Sequence, residues 1–140
     1  TMDEALGWFE GPGRAAPVKV GVWTPREVLC HCLFWHQVTI EGMESVAKGG
    51  APRRLDASTD ELNARAVAQR TGLDIGALAW EARNLQEDLA RATRALPDLE
   101  RVVLIRADGT PLTGRQRLEI IAEHWREHLA EMQGLAQRRG

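Results

Sequence analysis

Tyrosine is absent from these 140 residues, lysine occurs only as Lys19 and Lys48, and cysteine only as Cys30 and Cys32. Two cysteines one residue apart build no disulfide framework, so a reducing, cytoplasmic setting is expected. No apolar stretch approaches the ~20 residues that cross a bilayer, and no charged, apolar and cleavage-site succession opens the chain. A formal charge of −2 gives neither nucleic acid nor an anionic membrane a reason to bind. The start at Thr1 rather than at a methionine points to further N-terminal sequence, so the first helix is expected to be truncated.

What the chain does have is arginine in place of lysine, much alanine and glycine, and five tryptophans at positions 8, 23, 35, 80 and 125. The arginine-rich balance resembles that of GC-rich bacterial genomes. The indoles are large apolar bodies suited to a core or to the wall of a pocket. A chain of this length is expected to fold as one domain, residues 1–140, around a full hydrophobic core.

Strong breakers divide the chain into helical segments. Met2 to Phe9 reads as a short helix, cut by Gly11-Pro12-Gly13. Thr24-Pro25-Arg26-Glu27 is a capping box with proline at the first helical position, and the helix it opens should run to about Ala47, before Gly49-Gly50 and Pro52. Ser58-Thr59-Asp60-Glu61 opens a shorter helix to about Arg70, and Asp74 caps another that runs to about Leu96. Val102 to Ile105 is β-like and Ala107-Asp108-Gly109-Thr110 is a turn, which predicts a short hairpin or extended loop. A second capping box, Thr113-Gly114-Arg115-Gln116, launches a last helix to about Gln137. The expected fold class is all-α, a helix bundle.

Two of the four histidines, His124 and His128, stand four residues apart on that last helix. Four steps of ~100° bring their side chains to within ~40° of each other, ~6 Å apart along the axis, so both can reach one divalent metal ion. They lie on the shoulder of an apolar stripe formed by Leu118, Ile121, Ala122, Trp125, Leu129, Met132 and Ala136, where a ligand reaches sideways into a cavity between helices. The helix from Pro25 offers two candidates for a third ligand. His36 sits mid-stripe among Leu29, Cys32, Leu33, Ile40 and Met43, the usual place of a core histidine, whereas His31 sits on a shoulder. The two are ~140° apart and cannot share an ion, and periodicity leans only slightly to His31. Cys30-His31-Cys32 is no metal cluster on a helix, because the two thiols point ~200° apart.

The run from Trp23 through His31 to Trp35, in which a tryptophan precedes a capped helix and a histidine follows it by eight positions, resembles the first signature of the DinB/YfiT-like superfamily. Glu123-His124-Trp125-Arg126-Glu127-His128-Leu129 is similar to its second, and Asp60-Glu61-Leu62-Asn63 to the "LN" segment of the subgroup related to the colibactin self-resistance protein ClbS. The maleylpyruvate isomerase N-terminal-like subgroup is the other relative suggested. The likeness spans Trp23 to Met132 and departs at the N-terminus, where the family's long first helix is replaced by Met2 to Phe9 and a Gly/Pro loop.

The resemblance implies a four-helix bundle of up-down-down-up topology, a homodimer, and a metal site of His31, His124 and His128 holding zinc or nickel. It implies a thiol-dependent S-transferase or detoxification activity that uses a low-molecular-weight thiol such as mycothiol against a small-molecule electrophile or toxin. The alternative it offers is a metal-free binding or hydrolytic resistance protein of the ClbS kind, with polar cavity residues such as Asn63 acting directly. Trp35 and Trp125, each within one turn of a ligand histidine, are expected to wall the substrate pocket with Asn63. Glu27, Glu123 and Glu127 either orient the imidazole N–H groups or stand as solvated helix charges, and Arg126 either steers an anionic thiol or joins a surface salt bridge.

Overall fold

The computed structural model describes residues 24–139, so the helix expected over Met2 to Phe9 lies outside the described residues. The elements in chain order are α1 (Pro25–Ala47), β1 (Arg53–Arg54), α2 (Thr59–Gln69), α3 (Ile75–Ala95), β2 (Val102–Ile105), β3 (Pro111–Thr113) and α4 (Gly114–Arg139). The fold is mainly helical, as expected, with a small sheet added. Among the described residues no helix is long and apolar enough to cross a membrane.

The helix starts follow from the caps. Thr24 accepts a hydrogen bond from the Glu27 backbone N–H while the Glu27 carboxylate accepts from the Thr24 backbone, so both orphan donors are satisfied and Pro25 needs none. Ser58 and Asp74 cap α2 and α3 in the simpler way, each accepting from the backbone N–H three residues on. Thr113 and Gln116 repeat the reciprocal arrangement ahead of α4, at 2.9 and 3.1 Å.

α1 is the central element. Its buried residues run all round the axis, from Val28, Leu29 and Cys30 to Ile40, Met43 and Val46. A narrow exposed strip remains at Gln37, Glu41, Glu44 and Lys48. The apolar stripe that periodicity predicts for this helix therefore understates its burial, because α2, α3, α4 and the sheet each cover part of it. α3 meets it with Leu78, Ala79 and Ala82, all fully buried, and the two alanines let the axes approach closely. Full burial of a side chain such as Leu29 or Leu33 contributes about 1.5–3 kcal/mol.

The hairpin expected between the helices is present: β2 pairs antiparallel with β3, and Gly109 takes the positive φ (91°) of its turn. A third strand was not legible. β1, a two-residue strand directly after Pro52, pairs in parallel with β2, giving the order β1-β2-β3 with Val103 and Leu104 fully buried at the centre. The sheet sits hard against α1 at Gly42, where any Cβ would come within 2.0 Å of the Val103 carbonyl oxygen.

Candidate metal centre

Antiparallel packing of α1 against α4 creates the site. His31 meets His124 and His128 at one end of the contact, and Thr39 meets Arg117 two turns further along α1. The three imidazoles form a nearly equilateral triangle, with ring centroids 5.3, 5.4 and 5.5 Å apart. One nitrogen of each lies within 4.8 Å of the other two. Nitrogens bound tetrahedrally to one ion at ~2.0–2.1 Å would be ~3.3 Å apart, a contraction that small side-chain rotations supply. His31 is 5% exposed, and His124 and His128 are half-buried.

Asn63 decides how His31 is presented. The Trp35 indole N–H can only donate, and it lies 2.8 Å from the Asn63 side-chain oxygen. The same oxygen is 2.7 Å from Nδ1 of His31. Nδ1 must therefore carry the proton and donate it to Asn63, which leaves the lone pair on Nε2. This is the arrangement that holds a ligand histidine in one tautomer and one ring orientation.

Burial keeps the ring neutral. It lowers the His31 pKa to about 4, an effect opposed by the Asn63 hydrogen bond and reinforced by His124 and His128. The His124 pKa is lowered by the same desolvation, then by His128 and Arg117. The neutral imidazole is the donor state a metal requires, and a three-histidine set suits zinc, nickel or a neighbouring first-row ion.

The triad opens into a cavity of about 380 Å³ that Trp35, Asn63, Arg106 and Arg117 also line. A second cavity of about 470 Å³ adjoins it, sharing Thr59 and Arg106. Thus Trp35 and Asn63 do face the histidine cavity, the indole as a wall and the amide as a support behind His31.

The other expected site residues lie elsewhere. Trp125 is buried and lines a separate cavity of about 200 Å³ with His36 and Gln86. The Glu27 carboxylate is engaged by Thr24 at the helix start, so the orienting role falls to Asn63. Glu123 is exposed and paired with Arg126 at 3.2 Å, and Glu127 is also exposed. Arg126 is held in that surface pair and does not line the cavity.

His36 is 1% exposed, its ring nitrogens have no hydrogen-bond partner among the described residues, and burial lowers its pKa to about 4. Cys30 and Cys32 are fully sealed, and desolvation raises both thiols, Cys32 to about 12, so neither supplies a thiolate at neutral pH.

Arg117 was missed, though its spacing gives it away. It precedes His124 by seven residues and His128 by eleven, which puts it ~20° from each around the helix and on the ligand face. The residue is 3% exposed; its guanidinium lies 5.7 Å over the Trp35 ring and donates through Nε to the Thr39 hydroxyl at 3.0 Å.

A family model described as the DinB superfamily matches residues 3–132. No curated protein and no solved structure matches the chain at a significant level.

Proposed function

The chain belongs to the DinB superfamily, and from that premise we propose that it is a metal-dependent enzyme of the thiol-transferase or detoxifying kind. His31, His124 and His128 would hold the divalent ion, zinc or nickel. The observation that carries this reading is the triangle of imidazoles at the wall of a ligand-sized cavity, with one of them fixed in its ligating tautomer. A bound dication supplies Lewis acidity, which lowers the pKa of a thiol or water in the site into the neutral range.

The chain's own residues do the rest. Asn63 holds the His31 proton on Nδ1 and ties the ring to the Trp35 indole one turn further along α1. The Trp35 ring gives the cavity an apolar wall. Burial keeps protons off His31 and His124 at the pH where a thiolate is wanted. A small-molecule electrophile as second substrate, mycothiol as the thiol, a homodimer and the up-down-down-up bundle topology belong to the same proposal. The rival reading, a metal-free hydrolase acting through Asn63, is weakened because the Asn63 oxygen already accepts two hydrogen bonds.

The test is elemental analysis of protein equilibrated with zinc or nickel, wild type against His124→Ala, followed by turnover with a thiol and an electrophilic alkyl halide. One ion per chain that the variant loses, together with thiol-dependent product, supports the proposal. Protein that stays empty refutes it, and bound metal without turnover leaves a metal-binding protein that is not a transferase.

A further inference from the structure

Two arginines are buried among the described residues, and their surroundings differ. Arg70 is matched by the Glu81 carboxylate at 2.9 Å and by Gln37 at 3.2 Å. Arg117, the more deeply buried, has no carboxylate partner among the described residues. Its contacts are the single bond from Nε to Thr39 and the face of Trp35. A guanidinium presents five N–H donors, and taking its charge out of water without a counter-ion is costly. The low-dielectric surroundings, then the nearby charge of Arg106, lower even its pKa to about 10.

Among the described residues, the cavity it lines contains Arg106 as well and no aspartate or glutamate. Imidazoles add nothing negative. With a dication on the triad, the cavity would hold a double positive charge and two guanidiniums; Asp108 answers Arg106 from the adjoining cavity, and among the described residues no carboxylate pairs with Arg117. Such a site favours an occupant that brings the negative charge itself, and the planar fork of Arg117 matches a carboxylate in two parallel hydrogen bonds.

We propose that Arg117 anchors a carboxylate of the ligand, so that the histidine cavity selects anionic over neutral ligands. The proposal deepens the metal-site reading above and rests on it for the identity of the neighbouring ion, while the Arg117 anchor itself is present without metal. Thr39 and Trp35 act as positioning residues. The Thr39 hydroxyl donates to the Trp35 carbonyl at 2.8 Å and accepts from Arg117, and the indole supports the guanidinium from one side. The remaining N–H groups, unclaimed by the described residues, are left for the ligand. Arg106 sits where the two cavities meet, on the hairpin whose turn is closed by its own backbone bonds to Thr110 and Gly109.

The experiment uses 3-mercaptopropionate and 3-mercaptopropanol, thiols alike in length and differing in charge, with propionate as an anion lacking sulfur. Binding of the thiols to cobalt-loaded protein is read from sulfur-to-metal charge-transfer absorption, and binding of propionate to metal-free protein from calorimetry. Wild type is expected to prefer the anionic thiol by roughly 10-fold or more. Because a dication attracts any anion, the decisive reading is the ratio in Arg117→Met, which should fall toward unity with the affinity for the neutral thiol retained. Arg117→Lys, which restores the charge, should recover part of the preference.

A wild-type ratio near one overturns the proposal, and so does a ratio that Arg117→Met leaves unchanged. Should the protein take up no metal, the metal-site reading fails by itself. Propionate binding to metal-free protein, present in wild type and lost in Arg117→Met, then still supports the anchor, and its absence from wild type refutes it. If preference for an anion appears with the thiols and not with propionate, the carboxylate belongs to the thiol co-substrate. If propionate binds as well, an anionic electrophile is served by the same arginine.

Discussion

Replacing Asn63 by leucine separates the support of the metal site from its ligands. The substitution removes one oxygen and leaves two buried donors, His31 Nδ1–H and Trp35 Nε1–H, facing an apolar side chain of similar size. Each unsatisfied buried donor costs about 1–3 kcal/mol, and since the cavity admits water the lower end applies, so a loss of about 2–3 kcal/mol in the metal-free protein is expected. Metal affinity should fall about 10–100-fold, because His31 is freed to rotate and to place its proton on either nitrogen. Asn63→Asp keeps an acceptor in place and should bind metal at least as tightly as wild type, while its buried charge destabilises the metal-free form. The assays are chemical denaturation without metal and competition for zinc against a chelator of known affinity. Undiminished zinc affinity in Asn63→Leu, with the protein folded, would refute the claim that Asn63 presents His31 to the ion.

Three further outcomes follow from the packing. An unfolded histidine takes up a proton below its ordinary pKa of about 6.5 and the folded His36 only near 4, so acid favours the unfolded state first. Stability should fall as pH drops from 6.5 and level off below 4; His36→Gln should reduce that loss by about 3 kcal/mol, checked by denaturation of the metal-free protein across this range. Gly42→Ala should destabilise by about 3 kcal/mol, because its methyl would collide with the Val103 carbonyl and part α1 from β2. Thermal melting reads that loss, and a fully stable variant would contradict the close contact. Finally, Cys30 and Cys32 should resist iodoacetamide in the native protein and react on unfolding, with mass spectrometry as the readout.

How much of this was written in the sequence depends on whether a signal was local. The caps at Thr24, Ser58, Asp74 and Thr113 are settled within four residues of chain, and they placed the four helix starts among the described residues. The four-residue spacing of His124 and His128 is equally local. The choice of His31 over His36 was not, since helix periodicity ranks burial and both histidines are buried. It came from the resemblance to a family, and the coordinates bring His31 beside the other pair. Strand β1 escaped because two residues carry no alternation, and its partner lies some fifty positions away. The same limit hid the part played by Asn63: a side chain on α2 reaches α1 only through tertiary packing. Glu27 seemed better placed at one turn from His31, yet the cap it forms claims its carboxylate. Arg117 was open to inspection, since it repeats the ligand face of α4, but arginines on a helix are so often solvated that spacing alone did not single it out.

X-ray absorption of the protein loaded with one equivalent of nickel or zinc tests the central claim most directly. Three imidazole nitrogens per ion at ~2.0–2.1 Å for zinc, falling to two in His31→Ala, is the expected result. A spectrum with fewer than three histidines in the wild type, or one that His31→Ala leaves unaltered, would contradict a shared centre on α1 and α4.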